Sequence, residues 1–478
     1  TINKTAGTAT TGANITVGNN LTISQGTLNL ANRDANGGGA GILSLGSGAT
    51  LQIAQGNYFP SGYAFESFNA NSTVEYNATF NQTVAIKDYG HLKLGGTDTK
   101  FLSPGGGTTT LTGNLTTDGT AGAVTAEASG NLIIQGNMSI GANTSFTPNA
   151  YTVTMSGTSA QSIGGGVTSI SFNNLTIFNS AGVTANVDLS IAGNFTNTAG
   201  FNAGTSTVTF NSATTTVQNI TGVATTFYNL ILSQTNANPP GLTIGTDVTV
   251  SNVLTLTTGK ITTGTSTAPN PYSYTLTTVA SCTTPSVSRP GGTPGHVIGN
   301  LRKKIPTGSS VACTFEVGDS TKYTPMDVTF ASVSGEGSVT GATMPWPTDG
   351  HPAVSGTDID PALNVNRFWT LKNNTVSFTS YEATFNFCSS TVTTACPTTD
   401  LDAGVSTVDF VIRRYSPEIQ TPPYTGTWSN VTLATSGAQP TYTKGTGITG
   451  FGDFAVGQST IRAFTREREW IYQRELFY

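Results

Sequence analysis

Charged residues are scarce in this chain of 478 residues, since 20 Lys and Arg and 25 Asp and Glu make up only 9% of it, whereas soluble domains average about 25%. The basic residues form no run longer than Arg302-Lys303-Lys304, so the sequence offers no basic surface for nucleic acid. No apolar stretch approaches the roughly 18–20 residues that a helix needs to span a bilayer. These absences argue against a nucleic-acid-binding protein and against a helical membrane span.

Cysteine is absent from the first half, and the four cysteines of the second half are Cys282, Cys313, Cys388 and Cys396. We predict the nearest-neighbour disulfides, 282–313 and 388–396, among the three pairings that four cysteines permit. The alternative, a metal site, lacks the close cysteine spacing of zinc sites and has no neighbouring histidine. Disulfides imply an oxidising compartment. Because the chain begins with Thr1 rather than Met, we expect that a leader peptide is removed and that the protein is extracellular or on the cell surface.

Small polar residues take the place of charge, and the first half repeats itself. Three copies of one pattern combine a Thr-Val strand with a later segment in which an aromatic residue precedes a second strand. These copies are Thr73–Tyr76 with Tyr89–Leu94, Thr152–Met155 with Phe172–Ile177, and Thr207–Phe210 with Phe227–Leu232. The last two copies lie 55 residues apart. Repeats of strands that cannot bury a face alone predict stacked coils sealed by their neighbours.

The spacing of the strands favours an all-β fold in which residues 1–268 form a right-handed parallel β-helix. The strands are too short and too closely spaced for ordinary hairpins, and they fit three strands in each coil of roughly 20 residues. Period-two alternation predicts that Leu175 and Ile177 point inward and stack near Leu230 and Leu232. It also predicts that Thr176, Ile231 and Lys93 point outward. An antiparallel sandwich is the alternative, but the repeats lack the Asn-Gly and Asp-Gly turns that hairpins favour.

Composition changes near Pro269, where prolines punctuate a loop-rich passage and charged residues become more frequent. Longer alternating strands follow, such as Asp327–Phe330 and Asp409–Ile412. We interpret residues 269–460 as an antiparallel β-sandwich of the immunoglobulin-like type that carries the disulfides. The remaining segment, 461–478, is a tail rich in charged and aromatic residues.

Four segments of the second half carry a resemblance to a known family: Val297–Arg302, Phe315–Asp319, Arg367–Trp369 and Phe451–Gly457. They resemble a β-sandwich module found near the C-terminal end of large secreted bacterial surface proteins. The preceding repeats, such as Phe172–Ile177, are similar to the β-helical repeats that accompany this module in adhesin-like proteins. The resemblance implies an attachment or structural role, and it supplies no catalytic residues.

A parallel β-helix can also house a polysaccharide lyase or hydrolase, which needs clustered carboxylates. The acids of the first half are scattered, although coils of about 20 residues could stack Asp98 with Asp118. The histidines, His91, His296 and His351, are isolated from one another and indicate no metal site or catalytic triad. We therefore expect no enzyme, no catalytic residue and no cofactor.

Three weaker signals remain. Asp349, Asp358 and Asp360 fall around one loop and form a candidate Ca2+ site, with a solvated loop as the alternative. The Gly445–Gly450 segment matches a phosphate-binding glycine pattern, but a strand follows it, so we interpret it as a turn. Asn-x-Ser/Thr triplets are frequent, and we expect these asparagines to occupy turn and ladder positions. They include those that begin at Asn14, Asn20, Asn77, Asn81, Asn114, Asn174 and Asn194.

The leading functional hypothesis is an exported structural protein that assembles with copies of itself into a filament, sheath or surface layer. The alternatives are a monomeric, stalk-like adhesin that binds glycan or protein, and a β-helix lyase or hydrolase. Aromatic and arginine side chains commonly anchor interfaces, so we predict that the tail docks onto a neighbouring subunit as an extended arm. The docking residues would be Phe464, Trp470, Tyr472, Phe477 and Tyr478.

Overall fold

The structure is a computed structural model that describes residues 1–54, 59–235, 241–264, 272–284, 286–292, 294–345, 353–389, 396–417 and 425–460. It consists of β-strands with three short 3-10 turns. The parallel strands form a β-solenoid of about 13 turns, and antiparallel strands follow towards the C-terminus. The chain divides into two compact units, one of residues 1–213 and 218–228 and the other of residues 214–217 and 229–478.

The first unit is built from short parallel strands. They are β1 (Ile2–Thr10), β2 (Ile15–Val17), β3 (Leu21–Asn29), β4 (Ala35–Gly37), β5 (Ile42–Leu45), β6 (Thr50–Ile53), β7 (Phe65–Phe68), β8 (Thr73–Tyr76), β9 (Gln82–Thr83), β10 (Asp88–Tyr89), β11 (His91–Leu94), β12 (Asp98–Leu102), β13 (Thr108–Leu111), β14 (Leu115–Thr117), β15 (Val124–Ala128), β16 (Asn131–Ile134), β17 (Met138–Ile140), β18 (Thr144–Thr147), β19 (Thr152–Met155), β20 (Gln161–Gly165), β21 (Ser169–Phe172), β22 (Asn174–Ile177), β23 (Val183–Ala185), β24 (Asp188–Ile191), β25 (Phe195–Asn197), β26 (Phe201–Asn202), β27 (Thr207–Phe210), β28 (Gln218–Gly222) and β29 (Thr225–Phe227). A 3-10 turn spans Pro104–Gly106.

From β11 onwards, every third strand of this unit joins the same sheet. One sheet runs through β11, β14, β17, β20, β23 and β26, and a second runs through β13, β16, β19, β22, β25 and β28. The third face is formed by β12, β15 and β18 and then by β21, β24 and β27. Each coil therefore contributes one strand to each of three faces, as the spacing predicts.

The sequence repeat describes two neighbouring coils. In one copy Val153 of β19 pairs with Leu175 of β22, and Met155 pairs with Ile177. In the earliest copy Val74 of β8 pairs in the same way with Leu92 of β11. The Thr-Val strand and the strand after the aromatic residue are thus successive rungs of one sheet.

The 55-residue offset between the last two copies does not equal a whole number of coils. Strand β19 lies in the second sheet, whereas β27, the same element of the next copy, lies on the third face. Eight strands separate them, which is two and two-thirds coils of three strands each. The predicted stacking of Leu175 near Leu230 is therefore wrong: Leu175 pairs with Val153 and Phe195, and Leu230 pairs with Leu254.

Alternation along each strand builds the core. In β22 the side chains of Leu175 and Ile177 are fully buried, whereas Thr176 between them is partly exposed. Ile231 and Lys93 are likewise partly exposed, as predicted. The pleat alone places alternate side chains on opposite faces, and leucine, isoleucine, valine and phenylalanine fill the inward positions.

Close packing of coils also demands glycine at specific turns. Gly165 and Gly222 end β20 and β28 with φ of 135° and 106°. A Cβ at Gly222 would lie 1.9 Å from the carbonyl oxygen of Asn197 in the preceding coil. Only glycine combines this positive φ with so close a backbone approach.

The second unit contains β30 (Asn229–Ser233), β31 (Leu242–Ile244), β32 (Val248–Val250), β33 (Leu254–Thr258), β34 (Lys260–Thr262), β35 (Thr275–Ser281), β36 (Val287–Ser288), β37 (His296–Ile298), β38 (Asn300–Ile305), β39 (Gly308–Phe315), β40 (Val317–Gly318), β41 (Met326–Gly335), β42 (Gly337–Pro345), β43 (Ile359–Asn374), β44 (Ser377–Phe378), β45 (Tyr381–Asn386), β46 (Phe410–Ser416), β47 (Thr427–Ala438), β48 (Tyr442–Ile448) and β49 (Gly452–Ser459). Two 3-10 turns span Val354–Gly356 and Thr407–Asp409.

Parallel pairing continues well beyond position 269. Strand β34 pairs with β37, and β37 pairs with β40, all in parallel. Likewise β35 pairs in parallel with β38. The boundary that composition suggests at residues 268–269 thus lies within the parallel ladder, which ends at Val317–Gly318. Of the prolines in this passage, Pro290 and Pro294 lie between β36 and β37, which are strands of the ladder.

Strand β38 joins the two kinds of structure. On one edge it pairs in parallel with β35, and on the other it pairs antiparallel with β42. The antiparallel path then runs through β43, β49, β46, β47, β48, β45, β41 and β39. Its sandwich-like core includes Trp369, Phe385 and Phe454, with ring centroids of neighbouring pairs 5.4 and 4.7 Å apart. The antiparallel strands predicted for the second half are therefore present.

The cysteines pair as the sequence predicts. Cys282 bonds to Cys313 and Cys388 bonds to Cys396, each with 5.3 Å between Cα atoms. The first bond ties the loop after β35, a strand of the parallel ladder, to the antiparallel strand β39. It therefore links the last coils covalently to the sandwich-like sheets.

The two disulfides should differ in their contribution to stability. The 282–313 bond closes a loop of 31 residues and the 388–396 bond one of 8 residues. The chain-entropy relation gives about 3–4 kcal/mol for the first and about 2–3 kcal/mol for the second. Replacing each pair by serine and measuring urea unfolding under non-reducing conditions checks this order. Equal losses, or a larger loss for the 388–396 pair, would contradict it.

Candidate functional site

The asparagines of the Asn-x-Thr triplets link neighbouring coils. Of the seven such asparagines named above, six use the side-chain oxygen to accept the backbone N–H of a residue about one coil further along. Asn174 accepts the backbone N–H of Asn194 at 2.8 Å, and Asn194 accepts the backbone N–H of Asn219 at 2.9 Å. These asparagines thus form ladders at the turns, as expected. The donors for the other four are Asp34, Ile42, Thr99 and Asn137.

The fold itself explains why the triplet is frequent. Asparagine stands at the turn, the next side chain points inward and the threonine points outward, as in Asn174-Leu175-Thr176. A period-two strand that begins at an asparagine ladder therefore yields the Asn-x-Thr pattern without any role for glycans. His91 takes the place of asparagine in one ladder, where its Nδ1 accepts the N–H of Asn114 at 2.8 Å. Burial lowers the pKa of His91, which favours the neutral ring that this acceptor requires.

Buried glutamines form a second set of links that the sequence patterns did not reveal. Gln82, Gln161 and Gln218 are at most 4% exposed. Each donates its side-chain N–H to a carbonyl of the preceding coil, as Gln218 does to Ile191 at 2.8 Å. Each also accepts a backbone N–H a few residues earlier in its own coil. Their place shortly after the Thr-Val strand of each repeat is the signal that could have identified them.

One row of charged side chains crosses consecutive coils of the first unit. The Nζ of Lys93 lies 3.2 Å from Oε1 of Glu75 and 2.9 Å from Oδ2 of Asp118. Gln52 extends the row by donating to Oε2 of Glu75 at 2.8 Å. Strand pairing causes this arrangement, because Gln52, Glu75 and Lys93 are directly opposite one another in register on β6, β8 and β11.

In this row the cation of Lys93 lies between the carboxylates of Glu75 and Asp118. The hydrogen bond from Lys93 lowers the pKa of Asp118 to about 2. Burial alone would lower the pKa of Lys93, but the two carboxylates outweigh it and raise that pKa. Asp118 is therefore ionised and Lys93 protonated at neutral pH, and neither has the pKa near 7 that suits a general acid or base.

The predicted stacking of Asp98 with Asp118 is wrong. Asp98 is an exposed residue at the start of β12, where it pairs with Val124. Asp118 follows β14, which belongs to a different sheet. The interval of about 20 residues is close to one coil, but the residues start on different faces.

Lys100 is the deeply buried cation of the first unit's described residues. Its Nζ donates to the carbonyl oxygens of Ala78, Phe80 and Thr97 at 2.9, 3.1 and 2.7 Å. Burial lowers the pKa of Lys100 to about 8. These three hydrogen bonds hold the turn after β8 against the start of β12.

A buried ionic cluster lies in the second unit. The guanidinium of Arg367 contacts Oδ2 of Asp319 and lies 3.1 Å from Oδ1 of Asp400. Lys322 places its Nζ 2.7 Å from the same Asp400 oxygen. The other oxygen of Asp400 accepts the N–H of Cys388 at 2.8 Å. Two carboxylates thus balance two cations, and the cluster anchors the disulfide-bonded segment.

The cluster holds Asp319 ionised. Burial would raise the pKa of Asp319, but Arg367 outweighs burial and lowers it to about 2. His296 joins the cluster through its Nε2, 2.7 Å from the carbonyl oxygen of Asp319. Burial lowers the pKa of His296 to about 4, so the ring is neutral at pH 7. The residues that carry the family resemblance, Asp319 and Arg367, are therefore structural partners.

Two of the three loop acids, Asp358 and Asp360, are engaged with neighbouring protein groups. Asp358 forms a two-pronged ion pair with Arg413 and accepts a hydrogen bond from Ser459. Asp360 accepts the backbone N–H of Ala362 at 2.9 Å. Asp349 and His351 lie outside the described residues, as does the tail with Phe464, Trp470, Tyr472, Phe477 and Tyr478. Within the described ranges no three His, Cys, Asp or Glu side chains are grouped as metal ligands.

Loss of one ladder acceptor should be measurable at a single amide. Asn174→Ala leaves the N–H of Asn194 without its acceptor, and we expect a loss of about 1 kcal/mol in unfolding free energy. Hydrogen exchange at the Asn194 amide should accelerate. Asn174→Asp retains an acceptor oxygen and serves as the matched control. Equal exchange rates at Asn194 in the alanine and aspartate variants would contradict the ladder.

Arg367→Met should be strongly destabilising, because it leaves two buried carboxylates with one cation. Breaking a buried pair in this way costs about 3–5 kcal/mol. Lys444→Met is the control, since the Lys444–Glu382 pair is about 40% exposed and such surface pairs contribute about 0–1 kcal/mol. Urea unfolding at pH 7 compares the two. Similar losses in both variants would show that the buried cluster does not stabilise the fold.

Comparisons with other proteins give no relative. No protein-family model matches the chain, and searches of curated proteins and of solved structures gave no match. Among the described residues no helix has the length and hydropathy of a membrane span. The chemistry of the chain's own residues therefore carries the functional assignment.

Proposed function

We propose that this chain is an exported, non-enzymatic structural protein of a cell surface that assembles with copies of itself into a filament, sheath or surface layer. The observation that carries the proposal is the use of the solenoid's polar side chains. Asparagines at the turns and glutamines in the interior link one coil to the next. Such links stabilise an elongated repeat without needing a ligand.

The charges support the same proposal. Lys93, the lysine nearest to a group of carboxylates in the first unit, is neutralised by Glu75 and Asp118 on both sides. An elimination or hydrolysis site would instead need a base or acid with a pKa near neutrality. Two disulfides are consistent with an extracellular protein.

Assembly is assigned to the tail, residues 461–478. It interleaves arginines and glutamates with aromatic side chains, the residue types that anchor interfaces. An extended segment of this length can add as a strand to a neighbouring sheet. The second candidate function is a monomeric, stalk-like adhesin that binds glycan; a cleft lined by Arg302 and Lys372 favours it.

Deleting residues 461–478 should abolish assembly and leave the chain folded, because β49, the last described strand, already pairs with β43 on one edge and with β46 on the other. Negative-stain microscopy and light scattering measure assembly, and the thermal unfolding midpoint measures folding. A full-length variant with Phe464, Trp470 and Tyr472 replaced by alanine keeps the charges and should also fail to assemble. Unchanged polymers after the deletion, or dispersed monomers of the unaltered chain, would overturn the proposal.

A further inference from the structure

A cationic cleft lies on the sheet where the parallel ladder meets the antiparallel strands. Its volume is about 170 Å3, and strands β38, β42 and β43 form its floor. It is smaller than the roughly 300–1,000 Å3 of sites for drug-sized ligands. The cleft therefore suits one sugar-sized unit of a longer chain.

Strand register places two cations across this floor. Arg302 of β38 is directly opposite Thr340 of β42, and Thr340 is directly opposite Lys372 of β43. Neighbouring strands lie about 4.8 Å apart, so the Cα atoms of Arg302 and Lys372 are about 10 Å apart on one face. An anionic group bound at the guanidinium of Arg302 would lie on this face, above the Thr340 row.

Hydrogen bonds orient the arginine. Its Nε donates to Oγ1 of Thr340 at 3.2 Å, and that hydroxyl donates to Oδ1 of Asn374 at 2.7 Å. No carboxylate of the described residues forms an ion pair with Arg302. The terminal nitrogens of its planar guanidinium thus remain available for a two-pronged contact with an anion.

The three basic residues of the Arg302-Lys303-Lys304 run have different surroundings. Lys303 points inward, where its Nζ lies 2.7 Å from Oε2 of Glu316. Lys304 lies 3.1 Å from Oε2 of Glu336. The described residues that line the cleft include no Asp or Glu. Arg302 therefore contributes its charge to the cleft, whereas its neighbours are paired with carboxylates.

The rest of the lining is hydroxyl, amide and aromatic. Thr275 supplies a hydroxyl group, and the ring of Tyr272 contributes an aromatic surface. The hydroxyl of Thr370 donates to Oδ1 of Asp453 at 2.6 Å and can still accept a hydrogen bond from a ligand. Asn300 donates its side-chain N–H groups to the carbonyl oxygens of Tyr272 and Tyr274, which leaves its side-chain oxygen to accept from a ligand. Sugars present the matching hydroxyl groups and apolar ring faces.

We infer that this cleft binds a carboxylate-bearing sugar, a uronic acid unit of an acidic polysaccharide. The carboxylate would bind the terminal nitrogens of Arg302, and the sugar hydroxyls would bond to the threonines and Asn300. This inference goes beyond the structural role and does not depend on assembly.

Calorimetry with an oligogalacturonate tests the site, and its methyl ester is the matched neutral ligand. The acid should bind and the ester should bind at least 10-fold more weakly, because charge-assisted hydrogen bonds are roughly twice as strong as neutral ones. Arg302→Gln should weaken binding of the acid by about 10-fold or more. Lys304→Gln, which changes the net charge equally on the same strand, should leave binding unchanged.

Every other result overturns the inference. Equal binding of acid and ester would show that charge does not select the ligand. Equal weakening by Lys304→Gln would show a diffuse electrostatic effect, and absence of binding by the unaltered chain would show that the cleft is not a sugar site. Inorganic sulfate at equal charge concentration should not compete, so full competition by sulfate would assign the cleft to simple anions. Thermal unfolding of each variant confirms that it is folded.

Discussion

The structure depends on parallel pairing between strands about one coil apart in the sequence. Each short strand leaves its backbone groups and one apolar face unsatisfied until the next coil covers them. This requirement demands apolar residues at inward positions, such as Leu175, and tight turns, where Gly222 allows the backbones of neighbouring coils to approach. Asn174 and Gln218 satisfy the polar groups that the backbone ladder cannot reach. Nothing in such a coil folds alone, so stability is a property of the stack.

Charge is used sparingly and in two different ways. On the solenoid, Lys93 lies between two carboxylates at the surface, where solvent weakens the interaction. In the second unit Arg367 is fully buried with Asp319 and Asp400, and the partners are needed because an isolated buried charge is unfavourable. The surface row around Lys93 therefore tolerates substitution. The buried cluster around Arg367 instead fixes the position of the disulfide-bonded segment against the sheets.

The sequence predicted local features better than their relations. Period-two alternation identified the inward Leu175 and the outward Lys93 because the pleat acts residue by residue. It could not show on which face a strand lies, since that depends on accumulated turn lengths, and so Asp98 and Asp118 were wrongly stacked. The sequence could not predict the cleft between Arg302 and Lys372 for a related reason, because 70 positions separate residues that the antiparallel register brings together.

The offset between repeat copies has a consequence for how such a chain can lengthen. Because β19 and its counterpart β27 lie on different faces, a duplicated unit reappears rotated by one third of a turn about the axis of the coil. Three successive copies return the pattern to its original face. A chain that grows by this unit therefore presents each surface motif in a spiral, and a partner on one side meets only every third copy.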